Sequence, residues 1–133
     1  MEENAPMAQS ILGGSRLVAF AATVDLVRAR QFYGGILGLS LVAEDEFALM
    51  FDANGTPLRV AAVREITPAP YTVLGWQVRD IVATVKELRS AGVVFERYAA
   101  LAQDADSIWT APSGARVAWF KDPDGNVLSI SEH

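Results

Sequence analysis

Chemistry has few places to begin in this chain. There is no cysteine, and the one histidine, His133, is the last residue. Thiolate nucleophiles, disulfides and zinc–thiolate sites are therefore excluded, and a terminal imidazole reads as a frayed side chain rather than a ligand or a base. Gln77, Lys121, Arg59 and Tyr33 remain for acid–base or electrostatic work, and no two titratable groups stand at a spacing that suggests a catalytic pair. Gln77 with Glu96 is the oxygen-only grouping left to hold a cation. Glu44-Asp45-Glu46 and the pair Asp104 and Asp106 fall at apparent strand ends or in loops and read as solvated charge.

The apolar and aromatic side chains offer more. Alternate residues of a strand share a face, so Val18 carries Phe20 and Ala22 with it, and Val73 carries Gly75 and Gln77. Trp119 shares a side with Val117 and Lys121, and Met50, Tyr98 and Trp109 are looser candidates. Apolar walls with a few polar groups suit a small planar or hydrophobic ligand. The competing reading of a strand tryptophan is core packing. Gly75 favours a site, because glycine inside a strand marks close approach of a ligand or another backbone.

These residues need elements to hold them. At 133 residues the chain reads as a single domain, and its 51% hydrophobic content suits a well-packed core. No apolar run reaches the ~18 residues of a membrane span, and Met1-Glu2-Glu3 is unlike the basic start of an export signal. A soluble cytoplasmic protein is expected, without membrane contact. The net charge of −5 and pI near 4.7 argue against nucleic acid as partner.

Residues 1–15 read as a flexible leader, with Ile11 and Leu12 docking on the body. Arg16–Thr23 reads as a strand, and Asp25 caps a helix with Leu26, Ala29, Phe32, Tyr33 and Ile36 on one face, ended by Gly38. Leu39–Ala43, Phe47–Phe51 and Leu58–Val63 follow as strands, with an Asp-Ala-Asn-Gly-Thr-Pro turn at 52–57. Two prolines mark 64–70 as a linker, and then the order restarts. Tyr71–Val78 is a strand, Asp80 caps a helix carrying Ile81, Val85 and Leu88, and Gly92 ends it. Val93–Tyr98, Arg116–Lys121 and Val127–Ile130 complete the second half, with a short extra strand at Ser107–Thr110. Pro123-Asp124-Gly125-Asn126 turns the last hairpin and is structural in itself. Asp25 and Asp80 are 55 residues apart and stand alike between strand and helix, so the chain is two β-α-β-β-β modules, 16–63 and 71–131.

Phe120 followed by Asp122-Pro123-Asp124-Gly125-Asn126 and an apolar strand resembles the final hairpin of the vicinal oxygen chelate superfamily. That group includes glyoxalase I, bleomycin-resistance proteins, fosfomycin-resistance enzymes and extradiol dioxygenases. Asp25-Leu26 with Ala29 and Phe32-Tyr33, Leu37-Gly38-Leu39, and Val78-Arg79-Asp80-Ile81 are similar to its other marks. The resemblance covers about residues 16–131 and implies an α+β fold whose modules form a half-open curved sheet with the ligand on its concave face.

The resemblance also implies where metal-using members place their ligands. Counting seven residues back from each capping aspartate gives Val18 and Val73, and seven on from Asp122 gives Ser129. Valine has no donor atom and a neutral serine hydroxyl is a poor sole ligand. Neighbouring positions Leu17, Ala19, Thr72, Leu74, Leu128 and Ile130 rescue nothing. No metal and no other cofactor is expected, and metal-assisted chemistry loses its Lewis acid. Trp119 matches a position that touches substrate in fosfomycin-resistance relatives. Ligand-binding candidates are Val18, Phe20, Met50, Val73, Gly75, Gln77, Trp109, Val117, Trp119 and Ser129. Relatives of this length imply a homodimer, which would also cover exposed sheet edges. Two readings stand side by side. One is a bleomycin-resistance-type protein that sequesters a small drug or metabolite; the other is a metal-independent or atypically metal-dependent lyase or isomerase. A filled pocket serving only interaction is a third.

Overall fold

Asp25 and Asp80 do what their positions require. Each side chain accepts a hydrogen bond at 3.1 Å from the N–H three residues on, Arg28 and Ala83, and so satisfies an orphan donor of the first helical turn. In the computed structural model, which describes residues 11–133, helix α1 (Leu26–Arg30) continues as a π-helical turn over Gln31–Ile36. The N–H of Leu37 reaches back to Phe32 O at 2.9 Å. Gly34 and Gly35 weaken the α-helical ladder there, and adjacent Phe32 and Tyr33 are both buried. Helix α2 (Ile81–Ser90) is regular, and its first N–H, from Ile81, is held by Glu132 at 3.0 Å.

Eight strands form two mixed four-stranded sheets that do not close on each other. The first contains β1 (Ala19–Thr23), β2 (Ser40–Glu44), β3 (Ala48–Ala53) and β4 (Thr56–Ala62) in the order β1-β4-β3-β2. The second contains β5 (Thr72–Gln77), β6 (Trp109–Thr110), β7 (Arg116–Lys121) and β8 (Val127–Glu132) in the order β5-β8-β7-β6. In each, the strand before the helix pairs in parallel with the last strand, so the repeat of elements is a repeat of topology. One face of each sheet packs under its helix, burying Leu49, Phe51, Leu58 and Val60 in the first and Ala118, Phe120, Leu128 and Ile130 in the second. The β3–β4 turn runs through Asn54 at φ 51° and Gly55 at φ 95°, as a two-residue hairpin turn needs.

Two expectations need correction. The strand read at Val93–Tyr98 is a single bridge, Phe95 to Phe120, and the edge of β7 is completed by two-residue β6. Side chains have taken over the backbone groups a strand would use. Gln103 accepts from the Tyr98 N–H at 2.6 Å and donates to Glu96 O and Ser107 O, while Arg97 donates to the carbonyls of Asp104 and Gln103. Ile11 and Leu12 do not dock; both are exposed. The remaining leader, 1–10, lies outside the described residues. No described helix is long and apolar enough to cross a membrane.

The terminal hairpin turn does more than reverse the chain. Asp122 is buried and accepts from the N–H groups of Asp124 and Asn126 at 2.9 Å, from Asn126 Nδ2 at 2.7 Å, and from the Tyr33 hydroxyl at 2.6 Å. Asn126 Nδ2 also donates to Ala22 O, and Asp124 accepts from the Val24 N–H, both at 2.9 Å. Second-module side chains thereby hold the end of β1 and the helix of the first module.

Burial, the Asp122 carboxylate beside it and the hydrogen bond it donates push the Tyr33 phenol far above its ordinary pKa. An unfolded tyrosine ionises near pH 10, so above that pH unfolding releases a proton. Stability should therefore fall as pH rises past about 10, by up to about 1.4 kcal/mol per unit. Denaturant titrations over pH 7–11 should find that Tyr33→Phe costs about 1–3 kcal/mol at neutral pH and removes this part of the alkaline slope.

Candidate functional site

The strand registers decide which candidate residues share a face. On the first sheet Phe20, Arg59 and Met50 form one row across β1, β4 and β3, on the face away from the helix. On the second, Gly75, Ser129 and Trp119 form a row, and Gln77, Ser131, Val117 and Trp109 form the next. Val73 alternates onto the same side, and Val18 lies just before β1. All the predicted side chains thus occupy the surface opposite the helices or its margin, as two-residue periodicity requires.

They do not form one pocket. A cleft of about 470 Å³ opens between the two sheets, where β1 and β5 face each other. Of the predicted residues only Phe20, Val73 and Gly75 line it. Leu17, Ala19, Leu58, Leu74 and Trp76 also line it, with Ala53 and Thr56 from the β3–β4 hairpin. Sequence reasoning missed these seven because alternation assigns side chains to faces, whereas a cleft between two sheet edges takes both parities. Among the described residues, no ionisable side chain is in the lining.

Trp109, Val117 and Trp119 belong to a separate aromatic group. Trp119 meets Tyr98 edge-on at 5.6 Å and Trp109 at 6.0 Å, and its indole N–H donates to Thr72 Oγ1 at 3.0 Å. That bond ties the ring to the start of β5. Tyr98 is held above its ordinary pKa by partial burial and by Glu96.

The acid–base candidates are engaged elsewhere. Tyr33 is spent on Asp122, and Lys121 lies 3.8 Å from Glu96, which removes that carboxylate from a pairing with Gln77. Arg59 sits between Phe20 and Met50. Glu44 is paired with Arg30 and Asp106 with Arg89, while Asp45 and Asp104 cap turns, so these carboxylates serve local structure. Among the described residues no three His, Asp or Glu side chains gather as a metal would need. His133 contacts Ser131 at 3.1 Å and is exposed.

The positions implied for a metal do not fit one. Val18 and Val73 offer no lone pair, and the third is occupied by packing. A Cβ on Gly75 would stand 2.8 Å from Ser129 Oγ, so the close approach that glycine permits is that of this hydroxyl. Gly75→Ala should destabilise by about 1–3 kcal/mol through overpacking. Adding Ser129→Ala should restore most of the loss, a non-additivity that a double-mutant cycle in denaturant measures.

The geometry agrees with comparisons to known proteins. A sequence model of the Glyoxalase/Bleomycin resistance protein/Dioxygenase superfamily matches residues 16–130. Among solved structures, the genomically encoded fosfomycin resistance protein FosX from Listeria monocytogenes is similar with a TM-score of 0.71 at 12% identity, over 88% of this chain and 91% of that one. A superfamily member from Sphaerobacter thermophilus gives 0.69 at 25% identity, over 88% and 97%. Lactoylglutathione lyase from Agrobacterium tumefaciens gives 0.69 at 16% identity, over 89% and 93%. No curated protein matches the chain. With the family's sequence pattern running through both modules, and with their repeated sheets superposing on its solved members, the chain belongs to the glyoxalase/bleomycin-resistance/dioxygenase superfamily.

Proposed function

We propose that this protein binds a small, uncharged organic molecule in the cleft between β1 and β5, without a metal, as a cytoplasmic sequestering protein of the bleomycin-resistance type. One observation carries this: the cleft has a ligand-sized volume of about 470 Å³ and a lining with no ionisable side chain. A charged ligand would meet no side chain of opposite charge there. The side chains at the positions implied for metal, Val18, Val73 and Ser129, support the same reading, since none is an adequate donor. The protein acts as a homodimer in this proposal. Leu17, Val18, Phe20 and Val73 are exposed apolar side chains beside the cleft, Phe20 at 60%, and a second copy would cover them. Domain 16–131 is taken as the working unit.

Elemental analysis of untagged protein, with a thermal-shift series over divalent ions, tests the metal-free half. No stoichiometric metal and no ion that raises the midpoint are expected; either one would overturn the reading in favour of a displaced metal site and a lyase or isomerase. For binding, a thermal-shift screen of neutral aromatic compounds should yield hits that stabilise by mass action. Val73→Asp, which puts a charge on the cleft wall, should weaken them at least tenfold. Light scattering should return twice the chain mass.

A further inference from the structure

A second recess, partly open to solvent, lies between α2, the helix-covered face of the second sheet and the end of the first module's helix. Its volume is about 180 Å³, and Leu37, Leu39, Trp76, Thr84, Leu88 and Phe120 form most of its wall. Trp76 is common to this recess and to the cleft. Thr84 is the only hydroxyl side chain in the wall, and its Oγ1 is already spent on Asp80 O at 2.8 Å.

The repeat explains the space. With Asp25 matched to Asp80, Tyr33 matches Leu88. The backbone agrees once the extra residue of the π-helical turn is allowed for: the residue after each helix-ending glycine reaches back, Leu39 N–H to Tyr33 O at 3.0 Å over six residues and Val93 N–H to Leu88 O at 2.9 Å over five. Where the first module fills its interior with a phenol ring, the second has an isobutyl group, and the recess borders it. The backbone of the turn that carries Leu37 and Leu39 is pinned by bonds to Phe32 O and Tyr33 O, which resists its movement toward α2.

Water is a poor occupant. A buried water takes two to four polar partners, and among the described residues this lining offers only the Trp76 indole N–H and Thr84 Oγ1, which gives its proton to Asp80 O and can still accept. An apolar cavity of about 150 Å³ holds benzene. We propose that the recess is a second, apolar compartment, separate from the cleft and partitioned from it by Trp76, which takes an uncharged hydrophobic group the size of one aromatic ring. The proposal does not depend on what fills the cleft.

Benzene is the probe, titrated into untagged, methyl-labelled protein and followed by NMR. Saturable shifts at Leu37, Leu39 and Leu88 methyls are expected, with NOEs from benzene to the same groups. Leu88→Phe, which restores a ring at this position, should weaken benzene at least tenfold and raise the thermal midpoint. Phe20→Ala, in the cleft, should change it less than twofold. Absence of saturable shifts, NOEs confined to Leu17, Leu58 and Val73, or Leu88→Phe binding benzene within twofold would each overturn the proposal. So would methyl shifts that follow protein concentration without benzene, since a second copy would then be the occupant. Should Leu88→Phe fail to fold, the NOEs in the unsubstituted protein decide.

Discussion

The buried carboxylate of Asp122 is the constraint on which the arrangement depends. A charge taken from water must recover its hydration from fixed donors. Asp122 does so with two backbone N–H groups of its own turn, the Asn126 amide and the Tyr33 hydroxyl. Three of these four donors are local and would form in an isolated hairpin. The fourth comes from the other module, 89 residues away, so the turn is complete only when the halves are docked. With Asn126 on Ala22 O and Asp124 on the Val24 N–H, it fixes where the end of β1 lies. A motif that looks like ordinary turn chemistry therefore helps set the cleft between β1 and β5.

The repeat is exact in topology and unequal in side chains, and the inequality has consequences. Tyr33 gives one module a hydroxyl to reach across the interface, whereas its counterpart Leu88 has none. One module has an aromatic interior, with Tyr33 and Phe51 rings 6.1 Å apart; the other has a recess beside Leu88. The sheets differ as well. The first has a full edge strand, β2, while the second has a two-residue β6 and two isolated bridges, Phe95 to Phe120 and Gln103 to Trp109. There Gln103 and Arg97 bond the local backbone in place of a strand neighbour.

How much of this was legible in the sequence follows from the range of the forces involved. Caps, turns and alternation act within a few residues, so Asp25, Asp80, Asn54-Gly55 and both helices could be read directly. Val18, Val73 and Ser129 came from counting along the resemblance, and strand parity then carried Phe20 and Gly75 to the same face and put Val117 beside Trp119, with Met50 a looser candidate. The failure at Val93–Tyr98 has a different character. Its apolar residues suit a strand, but Arg97 reaches the carbonyls of Gln103 and Asp104, six and seven residues on, and Gln103 reaches back five residues to the Tyr98 N–H, and no period reports that. Gly75 was read as close approach of a ligand or backbone, and the approaching group is the Ser129 hydroxyl.

The cleft was beyond periodic reasoning for a geometric reason. Alternation assigns a residue to a face of one sheet, and it is silent on where two sheets meet edge to edge. At that seam Leu17, Ala19 and Leu58, of one parity, and Phe20, of the other, all reach the same space. Trp76, which by parity belongs under the helix, stands between the cleft and the recess behind it. Cavities at such a seam are walled by apolar side chains of strands that would otherwise face core, and among the described residues no ionisable side chain lines them. On the proposed reading, a preference for uncharged ligands would follow from how the modules dock, before any individual residue is tuned for a particular molecule.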